Sequence, residues 1–169
     1  MHRIFPVLIT IFFCLFTLSH TGAGHSIQSA AIIKKSQNAV ENQNAFTVDI
    51  CIYGGTPAGV ISAYAAKKMG KSVLLIEPGK HLGGIASGGL GQMDIQAKWA
   101  ISGLARDFFR RVGTHYGVFE KWLFEPHVAE KVFQAYVAEA RVQVLYDYRF
   151  FAAQKNENKL VQIELENAS

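Results

Sequence analysis

Three glycines and one carboxylate carry the first chemical suggestion in this sequence. In the stretch IYGGTPAGV, Ile52 to Val60, Gly54, Gly55 and Gly59 lie between an apolar run, FTVDICIY, and a run of strong helix formers, PAGVISAYAAKKM. A helix N-terminus presents unpaired backbone N–H groups and a partial positive charge, and glycines let that backbone approach an anion closely. Such a loop suits a pyrophosphate. Gly54 would take the tight turn after the strand, and Gly59 would let helix and strand pack together. Thr56 stands where the usual dinucleotide fingerprint has its second glycine. A threonine there adds bulk but also a hydroxyl able to donate to a phosphate oxygen. Glu77 ends the next apolar run, KSVLLIE, 23 residues beyond Gly54. A carboxylate at that point can accept from both hydroxyls of a ribose, and its charge disfavours the extra phosphate of NADP. Taken alone, the loop is also a tight strand–helix turn and Glu77 a solvated strand-end charge. Their joint placement favours dinucleotide binding.

The elements that must position these residues follow from the pattern. FTVDICIY is rich in β-branched and aromatic residues and predicts a strand ending at the glycines. Pro57 falls in the first helical turn, where a missing N–H does no harm, and Gly70 ends the helix. KSVLLIE is continuously apolar, as expected of a parallel strand covered on both faces. Together they form a βαβ unit with a right-handed connection. Farther on, AKWAISGLARDFFRRVGTHYG predicts a helix with Trp99, Leu104 and Phe108 on its apolar side. Glu125–Pro126 opens another, in which Val128, Val132, Phe133, Tyr136 and Val137 follow helical spacing. RVQVLYDYRFF predicts a third strand. A polar turn at Lys155–Asn158 then leads into an alternating strand, Leu160 to Leu165.

The ends of the chain read differently. Residues 1–23 resemble a secretory signal peptide: His2 and Arg3, then the apolar run Ile4 to Leu18, then Thr21 and Ala23 as small residues at a cleavage site. The alternative is a membrane anchor, for which 15 apolar residues fall short of a span of roughly 20. Cleavage would leave no membrane span and an exported, periplasmic or extracellular protein. Residues 24–45 are polar and aperiodic, a linker. Residues 46–169 form the folded part, with about 92–125 read as the start of a substrate or cap insertion. The formal charge of +4 includes no basic block and gives no case for nucleic acid. Cys14 lies within the apolar run, and Cys51, in a strand, reads as a small core residue.

A second glycine-rich stretch, HLGGIASGGLG, follows IEPGK directly, where a plain nicotinamide-binding unit would run into its next helix. Two side-chain-poor segments side by side suit a longer cofactor. Here the sequence from Asp49 to Gly91 resembles the N-terminus of FAD-dependent oxidoreductases with the glutathione-reductase-like flavin fold. It is most similar to an exported bacterial branch often labelled xanthan lyase, in which a GGT-x-AG loop is common. The resemblance is dense over 48–91 and weaker, but in order, over 92–165.

The resemblance implies an α/β, Rossmann-like FAD-binding domain. It would comprise the βαβ unit, a third parallel strand and a β-meander, incomplete at its C-terminus and therefore an N-terminal fragment. It implies that Gly54, Gly55, Thr56, Pro57, Ala58 and Gly59 line the FAD pyrophosphate and that Glu77 binds the adenosine ribose. Gly83, Gly84, Ser87 and Gly88 would pass by the phosphates and ribityl chain, and Phe150 would lie by the adenine. The implied function is flavin-dependent oxidation of a small molecule, a carbohydrate or other organic substrate. A polysaccharide lyase and a non-catalytic remnant are the alternatives. No catalytic residue stands out. His81, His115 and His127 lack a ligand partner at metal-binding spacing, so no metal site is expected. His81, beside the glycine loop, reads first as a loop-surface histidine. Tyr116, Trp122 and Phe124 suit core packing better than a sugar pocket.

Overall fold

The structure is a computed structural model that describes residues 31–35, 45–90, 92, 93 and 96–168. The signal-peptide stretch 1–23 and Gly91 lie outside the described residues. The elements in chain order are β1 (Ala31–Lys35), β2 (Ala45–Val48), β3 (Ile50–Tyr53), α1 (Pro57–Lys68), β4 (Val73–Glu77), the single turn α2 (Gly84–Ser87), a 3-10 turn (Lys98–Ala100), α3 (Gly103–His115), α4 (Pro126–Ala140), β5 (Gln143–Tyr146), β6 (Tyr148–Asn156) and β7 (Lys159–Asn167).

Strands β3, β4 and β5 form a parallel sheet in that order, and β2, β1, β7 and β6 form a second sheet. The α/β architecture expected from the βαβ pattern is present. Leu74, Leu75 and Ile76 of β4 are fully buried, as a central strand covered on both faces requires. Alternation divides the parallel sheet between two cores. Ile50, Ile52, Val73 and Leu75 pack with the helices. Cys51, Leu74 and Ile76 pack with Leu165 and Ile163 of β7 and with Phe46, Val48 and Tyr148. The layers are therefore helices, parallel sheet, second sheet. Burial pushes the Cys51 thiol up to about 11, so the group is protonated and inert at neutral pH, in keeping with a core role.

The structure departs from the sequence pattern at four points. FTVDICIY is two strands, because the chain changes sheets at Asp49. Asp49 and Ser72 bond reciprocally at the foot of β3 and β4: each backbone N–H donates to the other's side chain at 2.8 Å. RVQVLYDYRFF also divides between two sheets, at Asp147, whose φ of 60° turns the chain. The helix expected from Ala97 starts only at Gly103, leaving Trp99 84% exposed and placing Phe108, Phe109 and Val112 in the core. Finally, Ala31–Lys35, within the expected linker, pairs antiparallel to β2 and parallel to β7. Its β-branched Ile32 and Ile33 favour that state.

In the helical layer, Val128, Val132, Phe133 and Tyr136 of α4 are buried as their spacing predicts. A polar network ties three helices together. Tyr136 Oη donates to Asp107 Oδ2 at 2.6 Å, and Arg111 bonds Asp107 and Glu139. Tyr64 Oη donates to Glu139 Oε1 at 2.8 Å, and Lys68 lies 3.0 Å from the same oxygen. The Tyr64 hydroxyl, then Lys68 and Arg111, hold Glu139 down at about 2. With a folded pKa below its unfolded value of 4.5, Glu139 stabilises fully above that value and less as the pH falls towards 2. Glu139→Gln should thus lower Tm at neutral pH and flatten its decline between about pH 5 and 2. Thermal unfolding followed by circular dichroism across that range measures both.

Candidate dinucleotide-binding site

The site is built at the C-terminal end of β3. Gly54 takes φ 103°, a conformation that glycine adopts readily, and its N–H donates to Ile76 O at 2.7 Å. The next turn of chain enters α1. Gly59 faces the Gly54 carbonyl so closely that a Cβ there would overlap it. Thr56 is the N-cap: its Oγ1 accepts from the Gly59 N–H at 3.1 Å, and its carbonyl accepts from Val60. Pro57 carries no N–H. Among the described residues, the N–H groups of Thr56 and Ala58 have no protein acceptor, and the Thr56 hydroxyl still has a proton to donate. Three donors therefore remain at one exposed helix entrance.

Glu77, at the end of β4, lies under this turn. Its Oε2 accepts from Gly55 N–H at 2.6 Å and its Oε1 from Gly79 N–H at 2.7 Å. The second glycine segment is joined to the first through the same residue, because Gly83 N–H donates to Gly55 O at 2.7 Å. Gly83 has φ 103°, and a Cβ on it would enter the Phe133 ring of α4. A Cβ on Gly84 would touch Thr56 and Pro57 at 3.5–3.6 Å. The structure thus brings Gly54, Gly55, Thr56, Pro57, Ala58, Gly59, Glu77, Gly83 and Gly84 together as one unit. Ser87 and Gly88 end the one-turn α2; the Ser87 hydroxyl donates to Leu82 O. An apolar cleft of about 300 Å³ adjoins the turn, lined by Pro57, Ala58, Ile61, Ala86, Met93 and Phe133 among others.

Phe150 stands apart from this unit. It lies on β6, its N–H donates to Tyr53 Oη at 3.2 Å, and its ring lines a cleft of about 580 Å³ with Cys51, Tyr53 and Leu160. The residue paired with Glu77 at the end of β5 is Tyr146, followed at once by Asp147, whose N–H donates to Gly79 O at 3.1 Å. Sequence reasoning passed over these two. The signal was available: counting the parallel strands from their C-terminal ends sets Tyr146 opposite Glu77. Burial, with Glu130 and Glu77 nearby, pushes the Tyr146 hydroxyl up. His81 Nδ1 lies 2.9 Å from Glu130 Oε1 on the surface. No group of three metal-ligating side chains occurs among the described residues. Trp122 stacks on Phe109 with ring centroids 3.9 Å apart, and Phe124 is buried, so both belong to packing. No helix among the described residues is long and apolar enough to cross a membrane.

Residues 49–169 match the family model described as FAD dependent oxidoreductase. No curated protein matches the sequence. Among solved structures, the chain is similar to the THI4 protein of Thermovibrio ammonificans, at 18% identity and TM-score 0.43 over 65% of this chain and 43% of that one. It is similar to OTEMO in complex with FAD and NADP, at 20% identity and TM-score 0.47 over 66% and 21%. The bacillithiol disulfide reductase Bdr of Staphylococcus aureus is similar at 18% identity and TM-score 0.45 over 69% and 35%. The chain spans less than half the length of each of these.

The contact between Gly59 and Gly54 yields a direct test. Gly59→Ala must push α1 off the sheet end, with an expected loss of about 1–3 kcal/mol or more in urea unfolding. The conservative exposed change Ala58→Ser should leave the midpoint within about 0.5 kcal/mol.

Proposed function

The chain belongs to the FAD dependent oxidoreductase family, and from that premise we propose that residues 46–169 are the FAD-binding part of an exported flavoenzyme that oxidises a carbohydrate or another small organic substrate. The observation that carries this reading is the joining of two glycine segments and one strand-end carboxylate through the Gly55 peptide. FAD is the family's cofactor, and the residues present fit it. A Cβ at Gly55, Gly59 or Gly83 would collide with Leu82 and Glu77, the Gly54 carbonyl or Phe133, so glycine at these positions keeps the two segments and the helix entrance close together. Three unpaired donors cluster at the helix entrance, and the Glu77 carboxylate stands beside them at the end of β4.

The residue assignments follow from that fit. Thr56 N–H, Thr56 Oγ–H and Ala58 N–H would donate to the pyrophosphate across the face of Gly54–Gly59, aided by the partial positive charge of α1. Glu77 would accept from the adenosine ribose. Gly83, Gly84 and Gly88 would give the backbone close passage beside the phosphates and ribityl chain, with Ser87 holding the α2 turn through Leu82. Tyr146 and Asp147, next to Glu77, would border the adenosine. When bound, FAD supplies two-electron transfer; the chain's part is to bind, orient and exclude water. Export is supported by the apolar run Ile4 to Leu18 with its flanking residues, and the carbohydrate class by the resemblance to an exported branch.

The test is spectroscopic. The full-length purified protein, supplied with FAD, should turn yellow with the absorbance of bound flavin, and a reducing sugar or related substrate should bleach it without air. A protein that stays colourless after refolding with FAD overturns the reading. Edman sequencing of the protein from periplasm or medium should find a start near Gly24; recovery only in the cytoplasm, with Met1 retained, overturns export.

A further inference from the structure

Glu77 makes two bonds that a ribose contact does not require. Its Oε2 holds the Gly55 N–H of the first glycine turn, and its Oε1 holds the Gly79 N–H of the turn after β4. Gly55 passes the connection on, accepting from Gly83 N–H through its own carbonyl. The fit around the carboxylate is close. A Cβ at Gly55 would stand 2.8 Å from Oε2 and 2.6 Å from Leu82 Cδ2, and one at Gly79 would stand 3.1 Å from Oε1. Glycine at 55 leaves room for both Leu82 and the carboxylate, and a side chain at 79 would press on Oε1.

We propose that Glu77 is a clasp, a positioning residue that locks the phosphate-binding turn onto the second glycine segment, separately from any bond to a ribose. This inference rests on the proposed function only for the identity of the ligand. An ionised carboxylate offers about four acceptor positions. Gly55 and Gly79 fill two, which leaves two for the ribose diol, so clasp and ribose contact coexist. The donors offered to the pyrophosphate, Thr56 N–H and Ala58 N–H, follow Gly55 by one and three residues. Slack at Gly55 therefore displaces them, even for a ligand that has no diol.

Glu77→Gln tests this, because it keeps shape while turning one acceptor oxygen into a donor. One of the two backbone N–H groups then faces another donor. The chain and this variant are titrated calorimetrically with ADP and with 2′,3′-dideoxy-ADP, which keeps the pyrophosphate and lacks the diol. Amide exchange at Gly55 and Gly79 is followed without nucleotide, with Leu75 as a reporter of global folding. The variant is expected to bind dideoxy-ADP on the order of fivefold more weakly and to exchange faster at Gly55 and Gly79, with Leu75 unchanged. If only ADP binding weakens, or if the two glycine amides keep their protection, the clasp is overturned and a plain ribose contact remains. If the unaltered chain binds neither nucleotide, the proposed function fails, and amide exchange alone decides the clasp. If Leu75 also loses protection, Gly55→Ala replaces the variant. It keeps the charge but displaces the carboxylate, and it must reproduce the same glycine-amide loss for the clasp to stand.

Discussion

Helix α1 meets the end of β3 with no side chain between them, and the remaining geometry depends on that approach. Because Gly59 rests against the Gly54 carbonyl, the axis of α1 is fixed within its first turn. From that position Val60 and Ala63 are buried in the core shared with the parallel sheet, and Tyr64 packs edge-on against Tyr136 of α4. The same closeness sets Thr56 as N-cap and leaves the Thr56 and Ala58 N–H groups without a protein acceptor among the described residues. A methyl group at residue 59 would lift the helix, and the donors would move with it. Packing and ligand geometry are thus one constraint here. That is why a small-residue requirement can be read as a sign of function.

The helical layer supports the second glycine segment by a different route. Gly83 sits directly against Phe133 of α4. Phe133 in turn stacks on Phe108 of α3 with centroids 4.8 Å apart. The bearing of α4 on α1 and α3 is fixed at the far side by Tyr136 and Glu139, which meet Asp107 and Arg111 of α3 and Tyr64 and Lys68 of α1. Burial works against the charge of Asp107, but the Tyr136 hydroxyl and Arg111 outweigh it and hold its carboxyl below the usual range. The network is partly exposed, so its contribution to stability is modest. Its larger effect is register: six polar groups that must meet at hydrogen-bond distance constrain the arrangement of three helices. The aromatic contact transmits that arrangement to Gly83.

How much of this the sequence disclosed differs by residue, for physical reasons. The βαβ unit was legible because continuous burial of VLLIE, proline at the helix start and glycine at its end are all local requirements. The buried face of α4 was legible from spacing alone. The strand breaks at Asp49 and Asp147 were not, since each run keeps strand character while the chain passes from one sheet to the other. What divides them is which sheet lies alongside, a long-range fact. Trp99 was misplaced for a related reason. Helical periodicity continues through KWAIS, but the helix itself waits for Gly103. At the site, Gly54, Gly59 and Glu77 were readable, because turn, close approach and charge each demand a residue type. Tyr146 was not singled out, since a tyrosine at a strand end is ordinary until its partner across the ladder is known.

Thr56 shows which departures such a site tolerates. A turn that offers its ligand main-chain N–H groups needs room for the backbone, and room is a property of particular positions. At Gly55, Gly59 and Gly83, a side chain would collide with Glu77, Leu82, the Gly54 carbonyl or Phe133. At Thr56 the side chain lies exposed, curls back onto the Gly59 N–H and meets no obstacle. The threonine therefore takes one backbone donor out of play and returns a hydroxyl donor in its place. The count of donors at the helix entrance is preserved while the fingerprint is not. A pattern written as glycines at fixed spacing records the commonest way of leaving space; the physical requirement is the space and the donors, and this turn meets it by another composition.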